Sequence, residues 1–137
     1  MNAPFPLDRT DLRMLAQIGF LAAQSNQQSA ARTIFRALRV IRPDSPLPLV
    51  GLALADINAG RHASAVQLLQ GEGLREHPDS GEIHAFLGWA LLEAGNRDQA
   101  EKVLMSVLKP GDAEGPYVDM ARKLLSHVKP RARAAFN

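Results

Sequence analysis

The apolar pattern of this chain repeats on a scale longer than any single helix. Leu15, Ile18, Gly19, Ala31, Phe35 and Pro43 return 34 residues later as Leu49, Leu52, Ala53, Ala65, Leu69 and His77, the last followed by Pro78. A further 35 residues bring His84, Leu87, Gly88, Ala100 and Leu104. Each unit thus reads large, small, small, large, and self-similarity at this period marks a stacked-repeat architecture. The turn is in phase as well, because Asn26, Gly60 and Gly95 each stand shortly before the second small residue. Six helices are predicted, over about 8–24, 28–41, 46–59, 62–75, 80–94 and 97–108.

Each recurring position has a physical reason. A small residue at Gly19, Ala53 and Gly88 lets two antiparallel helices approach, and Ala31, Ala65 and Ala100 supply the facing contact. Glycine, or Asn26, can take the left-handed conformation that ends the first helix of a pair. Pro43 and Pro78 stop the second helix, since proline brings no amide to the next hydrogen bond. Phe35, Leu69 and Leu104 then fill the seam against the neighbouring unit. Asp79-Ser80 is placed to cap the fifth helix.

Beyond the breaker Lys109-Pro110-Gly111-Asp112, a seventh helix from about Tyr117 to Val128 should cover the exposed end of the last unit. The expected organisation is a flexible arm over 1–7 and a single domain over 8–128. Within the domain the repeats span about 12–45, 46–80 and 81–112, the capping helix spans about 117–128, and a basic flexible tail follows over 129–137.

With these residues in place the chain resembles the tetratricopeptide-repeat family over about residues 12 to 112. The most specific match is Ala85-Phe86-Leu87-Gly88-Trp89-Ala90-Leu91-Leu92-Glu93-Ala94-Gly95-Asn96-Arg97-Asp98-Gln99-Ala100. Repeat one lacks the turn glycine, and repeat two carries Asp56 where a large apolar residue is usual. The resemblance implies an all-α fold: a right-handed superhelix of three helix-turn-helix repeats plus a C-terminal capping helix.

Composition agrees and narrows the field. The 137 residues are 46% hydrophobic and 22% charged, with only 5% aromatic, a balance that suits one folded helical domain. The absence of cysteine removes disulfides, zinc–thiolate sites and thiol nucleophiles. Sixteen Lys and Arg against 14 Asp and Glu leave a net charge of +2, too small a surplus to point to nucleic acid. Much of the excess lies near the end, at Arg122, Lys123, Lys129, Arg131 and Arg133. No apolar run approaches the ~18 residues of a membrane span, and Met1 to Thr10 does not read as a secretory signal. A cytoplasmic location without membrane insertion is expected.

No catalytic constellation is visible. His62, His77, His84 and His127 show no metal-ligand spacing, and neither a phosphate-binding glycine loop nor a nucleophile elbow occurs. The expectation is a non-enzymatic protein with no catalytic residues, no metal and no cofactor.

The family resemblance also assigns a concave face, lined by the first helix of each repeat. Carried onto this sequence, it comprises Arg13, Ala16, Phe20 and Ala23, then Leu47, Val50, Leu54 and Ile57, then Glu82, Ala85, Trp89 and Leu92. Ten of these twelve are apolar, so the groove suits an amphipathic helix of a protein partner or the chain's own N-terminal arm (Phe5, Leu7). Ala16, Phe20 and Val50 stand where acidic-peptide-gripping relatives place Lys, Arg and Asn. An apolar groove in a small cysteine-free chain looks like the chaperones of bacterial type III secretion systems. Ala37-Leu38-Arg39-Val40-Ile41-Arg42-Pro43 is similar to a run in Hrp-type secretion proteins. The resemblance implies a cytosolic chaperone holding an amphipathic segment of a secreted subunit. The alternative is a general assembly scaffold that self-associates, as a homodimer, through the groove.

Overall fold

The computed structural model describes residues 7–108 and 115–134, and every regular element within them is helical. In chain order these are α1 (Arg9–Gln24), α2 (Gln28–Ile41), α3 (Leu47–Asn58), α4 (His62–Leu68), a π-helical turn (Leu69–Gly73), α5 (Leu74–Glu76), α6 (Gly81–Glu93), α7 (Arg97–Val107) and α8 (Pro116–Ala134). α4, the π turn and α5 run on without a break. The chain therefore forms three helical hairpins followed by one covering helix, the repeat architecture that the period predicts.

The hairpin turns explain that period. Asn26, Gly60 and Gly95 have φ of 63°, 80° and 87°. Each turn is closed by the same long backbone bond. The Gln27 amide donates to the Ala22 carbonyl at 3.0 Å, Arg61 to Asp56 at 2.8 Å and Asn96 to Leu91 at 2.8 Å. This is the Schellman closure, which satisfies carbonyls at the helix end and needs a left-handed residue before the donor. Asp8 and Asp11 cap the start of α1 reciprocally, and the Ser80 hydroxyl accepts the Ile83 amide at 3.2 Å to open α6.

The small and large positions meet as their spacing predicts. A Cβ on Gly19 would lie 2.8 Å from the Phe35 ring, and one on Gly88 would lie 2.4 Å from Leu104. Ala31, Ala53, Ala65, Ala100, Phe35, Leu69 and Leu104 have no measurable exposure. Phe35 is held from a second side by Gly51, whose Cβ would fall 2.3 Å from its ring. At the far end Val118, Ala121 and Leu125 of α8 join Ala85, Leu104 and Val107 in one buried cluster, so α8 closes the last hairpin.

Two features depart from the sequence reading. The second helix of the middle hairpin is not uniform, because its π turn takes up one extra residue. Leu69 stands nine residues before Pro78, whereas Phe35 stands eight before Pro43. That residue is why the second interval is 35 and not 34. The backbone of α8 also continues to Ala134, past the expected end near Val128. The arm expected at the start lies outside the described residues except for Leu7.

Candidate functional site

The twelve concave positions fall in three sets of four, each on one face of its helix. α1 carries Arg13, Ala16, Phe20 and Ala23; α3 carries Leu47, Val50, Leu54 and Ile57; α6 carries Glu82, Ala85, Trp89 and Leu92. α1 and α6 both pack against α3, so the three sets lie side by side.

Their exposure is uneven. Ala23, Val50, Leu54, Ile57 and Ala85 are buried. Arg13 and Leu47 are exposed, and Ala16, Phe20, Glu82, Trp89 and Leu92 are half-buried. The middle of the face is closed by the protein's own aromatics. Phe20, Phe86 and Trp89 pack against both the buried cluster that holds Val50 and Ile57 and the one that holds Ala23 and Leu54. Phe20 meets Phe35 edge-on at 4.8 Å between ring centroids, and Phe86 lies 5.9 Å from Trp89. Phe20, Phe86 and Trp89 are each half-buried, so this face presents an aromatic ridge to solvent.

The ridge is flanked by two hollows. Beside Trp89, a pocket of about 590 Å³ is lined by Pro116, Asp119, Met120, Lys123 and Leu124 of α8. At the other end, a pocket of about 210 Å³ draws together Arg13, Ala16 and Leu47 with Leu12, Leu38 and Pro48, under Arg9 and Arg42. Both present mainly apolar walls with a charged rim. The sequence reading missed Met120 and Leu124, because it treated the covering helix only as a cap. A second apolar feature lies on α1, where Met14, Ile18 and Leu21 are 55%, 49% and 63% exposed on one helical face.

The histidines do not converge. The His84 ring sits 2.7 Å from the Ser80 carbonyl, and His62 lies 3.9 Å from Glu93. Among the described residues no group of three or more His, Asp or Glu could hold a metal ion, and no helix is long and apolar enough to cross a membrane.

Comparison with known proteins places this geometry. The family described as tetratricopeptide repeat matches residues 57–125. No curated protein matches the chain in sequence. Among solved structures, the Yersinia enterocolitica type III secretion chaperone SycD, in complex with a peptide of the translocator YopD, superposes with a TM-score of 0.69. It is 18% identical, and the match covers 91% of this chain and 95% of that one. PcrH from Pseudomonas aeruginosa gives 0.71 at 20% identity, covering 90% and 93%. The Sgt2 tetratricopeptide domain from Aspergillus fumigatus also gives 0.71 at 20% identity, covering 97% and 83%. At such identities the likeness is one of fold.

Proposed function

Because this chain belongs to the tetratricopeptide repeat family, we propose that it is a protein-binding module whose inner face receives an apolar helical segment of a partner. The observation that carries this reading is the aromatic ridge of Phe20, Phe86 and Trp89 between two apolar hollows. Partly exposed aromatics beside apolar pits are the usual anchors of protein recognition, since each buries large area while losing few rotamers. An amphipathic helix laid along the ridge would set side chains at helical spacing into the hollows, with Arg9, Arg42 and Lys123 at the rims for its polar face.

The finer reading is a chaperone of a type III secretion system, covering an amphipathic segment of a secreted subunit. Its support is the fold shared with SycD, whose structure was solved with a translocator peptide. The test is calorimetric titration of a synthetic amphipathic helix into the wild-type protein and Trp89→Glu. A carboxylate at the ridge should weaken binding by at least about tenfold, because it must be desolvated without a partner. Circular dichroism should stay unchanged, since Trp89 is only half-buried. Equal affinity in a folded Trp89→Glu protein would remove the inner face as the site.

The second reading, a self-associating scaffold, is favoured by the stripe of Met14, Ile18 and Leu21. This apolar surface lies on α1 and is more exposed than the groove. Light scattering of the wild type and Ile18→Glu separates the two readings: a dimer abolished by the substitution supports self-association, and a monomer in both removes it.

A further inference from the structure

A cleft of about 750 Å³ lies on the outer side of the first two hairpins, between α2 and α4, with Leu52 and Asp56 of α3 at its floor. Its chemistry is unlike that of the inner face. Arg32, Arg36 and Arg39 descend one face of α2, spaced four and three residues apart, while Arg61 and Arg75 stand on the opposite wall.

Carboxylates in and beside the cleft engage three of these arginines. Asp56, the buried charged residue among those described, pairs with Arg32 and accepts from Arg61 Nε at 3.3 Å. Arg39 reaches across to Glu72 in the π turn at 2.7 Å and to Glu76 in α5 at 2.8 Å. Partial burial alone would lower the Arg39 pKa, but its two carboxylates outweigh that and raise it, so the group stays charged. Arg36 and Arg75 have no ion pair among the described residues, and both are exposed. Five arginines therefore line one concavity with two carboxylates, Asp56 and Glu72, while Glu76 engages Arg39 from beside it. Gly71 adds no side chain to the rim, and a Cβ there would meet nothing within 4 Å. Glu72 lies in the π turn and Arg75 two residues beyond its end, and such turns recur at functional sites.

We propose that this cleft is a second docking site, taking an acidic segment of a partner protein. Guanidinium groups donate strong, charge-assisted hydrogen bonds to carboxylates, and Arg39 already does so here, with one nitrogen on Glu72 and another on Glu76. A nucleic acid is the poorer occupant. The lining offers no aromatic ring on which a base could stack. Arg36 and Arg75 are the contact residues, because they are charged, exposed and uncommitted within the described structure.

The experiment is fluorescence anisotropy with a labelled peptide of alternating Glu and Gly, titrated with wild type and with Arg36→Ser/Arg75→Ser. The double variant should bind at least about tenfold more weakly. Arg97→Ser/Lys102→Ser on α7 removes the same charge elsewhere and should stay within about twofold of wild type. A Gln–Gly peptide should not bind. Trp89→Glu should keep full affinity for the acidic peptide, so failure of the inner-face reading leaves this test intact. Equal binding by the Arg36→Ser/Arg75→Ser variant, or equal loss in the α7 variant, would overturn the proposal. So would a single-stranded oligonucleotide binding more tightly than the peptide with the same arginine dependence.

Discussion

α3 presents two faces to two concavities, and they behave oppositely. On the inner side Val50, Leu54 and Ile57 are buried in clusters against which Phe20 and Trp89 of the flanking helices pack. On the outer side Leu52 and Asp56 floor a cleft that stays open between α2 and α4. Apolar side chains close a gap spontaneously, since every contact removes area from water. Arginines cannot do so, because each keeps its hydration and repels the next unless a carboxylate stands between them. Asp56, Glu72 and Glu76 hold the outer walls together at three points and leave the space between them wet. An apolar groove in a short solenoid thus closes on itself, while a charged one persists as a cavity.

The sharpest way to break that contrast is Leu54→Glu. Leu54 is 5% exposed in the middle of the inner face, so the new carboxylate would be buried without a partner. The expected cost is several kcal/mol, comparable with the ~5–15 kcal/mol that holds a domain of this size together. Thermal unfolding followed by circular dichroism should show a collapsed or absent transition. A Leu54→Glu protein melting within a few degrees of wild type would mean that the aromatic ridge opens readily. The buried middle would then belong to the binding surface after all.

On the outer side the corresponding substitution is milder. Asp56→Ala leaves Arg32 and Arg61 facing each other, but both remain partly in water and can hydrate. The expected loss is about 1–2 kcal/mol, below the figure for a fully buried pair. Urea denaturation would read it as a lower midpoint with unchanged slope. A neutral result would show that the cleft walls are set by backbone packing alone.

The two faces were not equally legible in the sequence. The hairpins could be read because small residues, turn residues and prolines each act locally, and the same Schellman closure recurs at Asn26, Gly60 and Gly95. The concave positions could be named from the family pattern, but their burial could not. Burial depends on which aromatics from neighbouring helices pack against the cluster around Val50 and Ile57, and that is a tertiary outcome. The outer cleft left two traces in the sequence. Asp56 broke the apolar repeat where a large residue was due, and the interval lengthened by one residue after Leu69. Read singly, each was a blemish in a repeat. Only the fold brings Asp56, the π turn and the α2 arginines to one place, since Arg39 and Glu72 are 33 residues apart.

The smallest expected effect is also the most discriminating. Charges that hold a fold together lower its stability when removed, whereas charges maintained for a partner leave it unchanged or raise it. Arg36 and Arg75 are exposed, without ion pairs among the described residues, and close to three other guanidinium groups. Replacing both with serine removes repulsion worth a few tenths of a kcal/mol and little packing. Arg36→Ser/Arg75→Ser should therefore melt at or slightly above the wild-type temperature at low salt. The difference should fade as salt is added, because screening weakens the same repulsion in the wild type. Arg39→Ser, which abandons Glu72 and Glu76, should instead melt lower. If the double variant lost more than about 1 kcal/mol, its arginines would be structural ties like Arg39. The outer cleft would then be as self-contained as the inner face.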